Sequence, residues 1–330
     1  VLPAGSHSAA QNGGIEMKSK PIQETKTLDA RLRRDFRKNK SLYLMVLPVL
    51  AFYIYFCYKP MYGVLIAFQD FNFRAGMTGS PWVGLENFRR FFADPYFFRN
   101  IKNTLVISLA SIVFGFPAPI LLALLINEVG NRYFKKTVQT ITYMPYFISL
   151  VVLCSMVKSF VASDGIITRL VNILTGGTIE ESMLNYAGLF VPIYVISDIW
   201  QQVGWGSIIY LAALSGIDQE LYDAADVDGA GHIKKLIHVT LPCLSQTIIV
   251  LLILRLGGIL SVGYEKIILL TNAYNAESSE ILSYYIYKKG IAGGEYGLAT
   301  AAGLFNSVIN CIFVVGANYI SRKFSDTSLW

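Results

Sequence analysis

Charge is scarce in this chain. Of its 330 residues only 15% are Asp, Glu, Lys or Arg, against roughly 25% in an ordinary soluble domain. Histidine is scarcer still, at three residues (His7, His232 and His238), so no imidazole cluster is available for metal binding or acid–base work. The four cysteines, Cys57, Cys154, Cys243 and Cys311, are irregularly spaced in or beside apolar runs. They form neither a disulfide framework nor a metal pattern and read as small buried hydrophobes. No G-x-x-x-x-G-K-[ST] phosphate loop occurs, which excludes ATP hydrolysis of the P-loop type by this polypeptide alone. No internal repeat and no low-complexity tract is visible, and no bound metal or cofactor is expected on the chain itself.

What fills the space is hydrophobe: 54% of the residues, with a mean hydropathy of +0.47. Crossing a bilayer core of about 30 Å takes roughly 20 helical residues. Six stretches are of that order: 42–67, 104–127, 137–160, 187–213, 244–270 and 298–320. Each must be helical, since an isolated strand in lipid leaves its backbone unpaired. The expected fold class is therefore all-α, a polytopic membrane protein with six transmembrane helices. A large α/β enzyme is the alternative, and its strands are too short for these runs.

The net charge is +6, and its placement is informative. Nine Lys or Arg lie between Lys18 and Lys40. Such a run can bind nucleic acid, but beside a span the positive-inside rule makes it a cytoplasmic tail, and no nucleic-acid partner is expected. Six spans return the C-terminus to the same side. The resulting organisation is a leader over 1–16 with Met17 as the natural start, a basic tail over 17–41 that is helical from Leu28 and lies on the inner leaflet, a membrane domain over 42–320 interrupted by a cytoplasmic loop at 214–243, and a cytoplasmic tail over 321–330. The segment 68–103 is aromatic, with a short amphipathic helix expected at Leu85–Phe92. It reads as an interfacial belt or as a contact for an external partner. The outer loops 161–186 and 271–296 read as polar.

The loop at 214–243 carries the most specific pattern. It contains Glu220, Asp223, Ala224, Ala225, Asp228, Gly229 and Ala230, and ends at Leu241 and Pro242. Two alanines favour helix and leave a flat face, Gly229 permits a bend, and Pro242 is expected to end a second short helix before the next span. An ordinary helical hairpin is the alternative. An acid, Ala-Ala, a glycine six residues after the acid and a closing Leu-Pro resemble the "EAA" loop of binding-protein-dependent ABC importer permeases. The acid of that pattern is usually Glu. Here it is Asp223, one methylene shorter, and Glu220 one turn earlier can share its role.

Other segments carry the same resemblance. Tyr58-Lys59-Pro60-Met61-Tyr62-Gly63 and Ala67-Phe68-Gln69-Asp70-Phe71-Asn72 are similar to the opening of complex-oligosaccharide permeases. Gly84-Leu85-Glu86-Asn87-Phe88 matches the approach to the second span, and Gly297-Leu298-Ala299-Thr300-Ala301-Ala302-Gly303 with Thr327-Ser328-Leu329-Trp330 is similar to the polysaccharide subgroup, including the first permease of bacterial alginate importers. The resemblance implies a MetI-like fold in the cell inner membrane. It also implies a second homologous permease, two ATPase subunits that hold ATP and Mg, an external solute-binding protein and an oligosaccharide cargo. The loop would be the plug that couples the permease to an ATPase.

A sugar path needs aromatic faces and polar groups inside spans, where such groups are costly unless they face a cavity or a partner. Candidates are Tyr143 and Tyr146 around Pro145, then Asp198, Trp200, Gln201, Gln202 and Trp205, then Arg255, Tyr264, Glu265 and Lys266, and Asn306 on the last span. If Arg255 and Lys266 both line the path they suit an anionic sugar of uronate type. Alternatively Lys266 pairs with Glu265 or snorkels, and the glutamines and tryptophans serve helix packing and the interfacial belt. The competing function is an ion-coupled secondary sugar transporter, for which only Asp198 and Glu265 offer intramembrane acids. An intramembrane enzyme has no His cluster to work with. Neither rival accounts for the loop.

Overall fold

The computed structural model describes Asp35 and residues 38–177 and 179–324. The leader, the tail helix apart from Asp35 and residues 38–40, and the final Thr327–Trp330 motif lie outside the described residues. Among the described residues there is no strand, only one isolated bridge between Gln69 and Trp82. The chain divides into two units, 1–62 and 63–330.

The first unit holds most of α1 (Lys40–Phe68). This apolar helix contains Pro48 and relaxes into a π-helical stretch at Tyr53–Tyr58. Lys59 sits 4.5 Å above the Tyr55 ring, so its charge is held against an aromatic face.

In the second unit, α2 (Glu86–Phe92) leads into α3 (Phe97–Glu128). Next come α4 (Arg132–Phe147) and α5 (Leu150–Phe160), then α6 (Ile166–Thr175) and α7 (Ala187–Ser215). After α8 (Gln219–Val227) the long helix α9 (His232–Leu256) begins. It is followed by α10 (Tyr264–Leu270), α11 (Leu282–Tyr287) and α12 (Tyr296–Phe324). Helices α1, α3, α9 and α12 are long and apolar enough to cross a membrane, and the bent α4–α5 pair has the combined length and apolarity of a fifth span, either broken or re-entrant. Helix α7 has the length for a sixth, about 43 Å at 1.5 Å per residue, but its mid-helix Asp198, Gln201 and Gln202 dilute its apolarity.

Four expectations need correction. The third apolar run is not one helix: α4 and α5 meet at 101°. Pro145 lacks an N–H, and Ile148 and Ser149 are extended. The Ser149 hydroxyl then caps α5 by accepting from the Val152 N–H at 3.4 Å. The fifth run ends at Leu256 instead of continuing to 270, and 257–263 crosses over as turn and coil. Gly257 is required there, because a Cβ would sit 2.3 Å from Val314 Cγ2 on α12. Pro242 ends nothing. It lies in the first turn of the α-helical part of α9, and the π-helical stretch Leu236–Thr240 before it absorbs its missing donor. The outer loop at 161–186, read as polar, carries the apolar helix α6.

Helix α7 is the axis of this unit. Its N-terminal half (Phe190, Ile193, Tyr194, Val195) packs with Ile107 of α3, Leu153 and Val157 of α5, and Ile267 of α10. Its C-terminal half (Tyr210, Leu214) packs with Ile120 and Leu124 of α3 and Leu244 of α9. A third cluster joins Phe91 of α2 to Leu282, Tyr285, Leu298 and Ala302, so part of the aromatic 68–103 segment is core, while Phe73 and Phe98 remain exposed. At Gly204 the backbones of α7 and α4 touch: a Cβ there would lie 2.0 Å from the Thr142 carbonyl oxygen. Gly204→Ala is expected to cost about 2 kcal/mol through forced separation of the helices, read as a lower unfolding midpoint of the purified chain in nanodiscs. Gly188→Ala on the same helix, with nothing within 4 Å, is the neutral control.

Candidate functional site

Two features stand out, a cavity within the helices and an elbow at one end of them. The cavity has a volume of about 710 Å³, in the range of small-molecule sites. Its longest wall is a stripe of α7. Asp198, Gln201, Gln202 and Trp205 fall at i, i+3, i+4 and i+7, one face of a helix, and all four line the cavity with Tyr194 one turn before them. Arg255, Glu265 and Lys266 line it from α9 and α10. Sequence reasoning therefore placed seven of its twelve path residues on this wall.

The other five lie elsewhere. Trp200, two residues off the stripe, is outside the cavity lining. Tyr146 stacks on Trp205 with centroids 4.5 Å apart and planes 6° from parallel, so it orients a wall residue from behind. Tyr143 belongs to the α4 segment that meets Gly204. Tyr264 stacks on Tyr287 at 5.0 Å. Asn306 lies 3.5 Å from Asn310 within α12.

The charges are arranged in a specific way. Lys266 does not pair with Glu265 or reach the surface. It is buried, donates to the Tyr194 carbonyl at 3.0 Å and to Asp198 Oδ1 at 3.4 Å, and lies 4.5 Å from the Tyr194 ring centroid. Arg255 and Glu265 have no ion-pair partner within 4 Å among the described residues. The wall thus carries two cations and two carboxylates, one of each tied together and one of each open to the cavity.

Gln201 has a second duty. Its amide donates to the Ile148 carbonyl at 3.1 Å, the acceptor freed where α4 breaks from α5. The break after α9 is satisfied in the same way. Ser108 donates to the Ile259 carbonyl, Ser283 to the Val262 carbonyl at 2.5 Å, and Asn310 accepts from the Leu260 N–H at 3.1 Å. Irregular backbone at membrane depth persists only where its polar groups find partners. Ser108, Ser111, Tyr194 and Ser261, which line the cavity, were not singled out from the sequence. Tyr194 could have been found as the residue four before Asp198.

The elbow is α8, a turn, and the start of α9. Asp218 caps α8 by accepting from the Glu220 N–H at 3.0 Å. Gly229 has φ +71°, where other residues are strained, and Ala230 N–H donates back to the Ala225 carbonyl at 2.9 Å, closing the helix end. Two contacts tie the limbs together: the Lys235–Asp226 ion pair and the Tyr222–Thr240 hydroxyl pair at 3.0 Å. Glu220, Asp223, Ala224 and Asp228 are exposed, Ala225 and Ala230 half-buried. Beside them Val227 is 88% and Ile233 73% exposed, an apolar surface such as partner sites present. Leu241 and Pro242 lie more than two turns into α9, away from the tip.

Residues 87–326 match the family described as "Binding-protein-dependent transport system inner membrane component". Protein LplB of Bacillus subtilis (strain 168) is 45% identical over 295 residues, 89% of this chain and 92% of that protein. The polygalacturonan/rhamnogalacturonan transport system permease protein YteP of the same organism is 42% identical over 293 residues, 89% of this chain and 91% of its own. Among solved structures, a chain of a bacterial alginate ABC transporter in complex with alginate pentasaccharide-bound periplasmic protein aligns with a TM-score of 0.82 and 41% identity, covering 91% of this chain and 100% of that one. A chain of a bacterial ABC transporter involved in the import of the acidic polysaccharide alginate aligns with a TM-score of 0.80 and 42% identity, covering 89% and 99%.

Proposed function

The chain belongs to the binding-protein-dependent transport system inner membrane components, and from that membership we propose that it is the permease subunit of an ABC importer for acidic oligosaccharides. It takes cargo from an external solute-binding protein and conducts it into the cytoplasm. A second, homologous permease supplies the facing half of the path, and two separate ATPase subunits, with their ATP and Mg, supply the work. The N- and C-termini lie in the cytoplasm on this reading, as does the elbow. Relatives named for polygalacturonan and rhamnogalacturonan transport and neighbours named for alginate support a uronate-containing cargo.

One observation carries the reading. The elbow joins α7 to α9, and these two helices line the cavity. A partner that grips the elbow therefore moves two cavity walls together, because α9 is continuous from His232 at the elbow to Arg255 at the cavity. This is the linkage that alternating access needs, with binding energy at one site biasing the conformation of another. Within the path, Trp205 offers an aromatic face, Gln202 an amide that both donates and accepts, and Arg255 an unpaired cation for a carboxylate.

The test is uptake of oligogalacturonate by proteoliposomes containing the complete assembly. Uptake is expected to require internal ATP and to survive a protonophore and a sodium ionophore. Uptake that is driven by an ion gradient and indifferent to ATP would favour a secondary transporter instead.

A further inference from the structure

A second cavity, of about 390 Å³, lies between the start of α3 and the α11 segment and shares no residue with the first. By chain path it is at the end of the bundle opposite the elbow, the entry side on the reading above. Its wall includes Asn100, only 3% exposed. The Asn100 Oδ1 acceptor and the neighbouring Arg99 Nε donor are buried with no hydrogen-bond partner among the described residues. Buried polar atoms are almost always paired, so each orphan on this wall marks a place where a partner group is wanted, a donor at Asn100 Oδ1 and an acceptor at Arg99 Nε. Neighbouring residues of a helix point about 100° apart, so the two call for separate groups, and a sugar hydroxyl suits the Asn100 acceptor.

The charges around the orphans point to an acid. Three cations, Arg99, Lys288 and Lys289, face two carboxylates, Asp94 and Glu280. Both carboxylates are already engaged. Asp94 accepts from the Tyr285 hydroxyl at 2.9 Å. Glu280 is shared by Arg99 and by Lys288, the latter at 3.1 Å. Lys288, with its side chain 59% exposed, keeps ammonium protons free at the mouth. Lys289 is held by Glu295 at 3.4 Å, which also holds Arg90, so with that pair included four cations face three carboxylates, one positive charge is in excess, and the orphan acceptor lies on the same cavity wall.

We propose that this outer cavity binds a hexuronate unit of the saccharide, with the carboxylate at Lys288 and a ring hydroxyl donating to Asn100 Oδ1. The identity of the ligand rests on the acidic-saccharide reading. The site itself is separate from the path, and serves to hold a sugar unit before it reaches the cavity along α7.

The experiment uses the assembled complex in nanodiscs, with D-galacturonate and neutral D-galactose as probes and binding read by saturation-transfer NMR titration. Galacturonate is expected to bind about tenfold more tightly than galactose, one charge-assisted hydrogen bond's worth of discrimination. Lys288→Gln, at an exposed position where folding is not at stake, should remove that tenfold preference and leave galactose unchanged. Asn100→Leu should weaken both sugars. Galacturonate binding that is unaltered by both variants overturns the proposal, as does equal binding of the two sugars to the unmodified complex. Uptake measured in parallel separates the two readings: ATP-driven uptake without variant-sensitive binding overturns the outer site alone, whereas variant-sensitive binding without ATP-driven uptake supports the site and overturns the transport reading.

Discussion

Lys266→Met should be among the most damaging single substitutions in the membrane domain. The ammonium is 5% exposed and sits against Asp198, itself 28% exposed by side chain. Removing the cation leaves a carboxylate in the wall of a cavity with no counter-charge, and breaking a buried pair from one side costs about 3–5 kcal/mol. The lower end applies, because Asp198 reaches the cavity and retains some hydration. The Tyr194 carbonyl, four residues before Asp198 on α7, loses its donor in the same step. The expected result is an unfolding midpoint several degrees lower for the purified chain in nanodiscs. Asp198→Asn added to Lys266→Met should recover most of the loss, since the amide carries no charge to strand. A single variant as stable as the parent, or a double variant no better than the single, would show that the pair does not hold α10 to α7.

That pair also shows where sequence reading stopped. Lys266 has Glu265 beside it in sequence, and Glu265 was the partner at hand. Adjacent helical residues diverge by about 100° and do not meet. The true partner is 68 residues earlier, visible only once α7 and α10 pack. The stripe on α7 was legible because periodicity alone gives it: Asp198, Gln201, Gln202 and Trp205 share a face whatever the helix packs against. Trp200 was included for its chemistry, and periodicity excludes it from that face.

The two broken spans failed for a related reason. Hydropathy weighs side chains, and Gly257–Val262 is apolar but for Ser261, so the run reads as a continuous span, and its glycines allow a bend without requiring that the backbone leave the helix. What allows the break is donors and acceptors on other helices, Ser108, Ser283 and Asn310, each unremarkable in its own segment. At Ile148 the sequence held half the answer, since Pro145 predicts a kink. The 101° turn also needed Gln201, 53 residues on, to take the freed carbonyl. The elbow was read more fully because its information is local: the acid, the alanines and the left-handed glycine act within one turn of each other. Only Pro242 was misjudged there, because the helix before it could switch to π geometry.

Asp223→Lys tests the elbow with the largest functional effect. The Asp223 side chain is exposed and has no ion-pair partner among the described residues, so its reversal disturbs no contact inside the chain, and the unfolding midpoint should stay within error of the parent. If the elbow seats in an ATPase subunit, the same reversal places a cation where an anion is wanted. Truncating one partner of a buried charge pair at an interface costs about 2–5 kcal/mol, and reversal costs no less. Oligogalacturonate uptake should therefore fall by about 30-fold or more, with ATP hydrolysis no longer stimulated by loaded binding protein. Asp223→Glu restores the longer acid of the family pattern and should keep uptake at or above the parent's level. Gly229→Val reaches the same end by geometry. A β-branched residue at φ +71° costs about 1–2 kcal/mol in the left-handed region and opens the turn that Ala230 closes on Ala225. Uptake should drop here too, although no charge has changed. Normal uptake in both Asp223→Lys and Gly229→Val would mean that neither the charge nor the shape of the elbow transmits work, and that the link from elbow to α7 and α9 is only a connection in the chain.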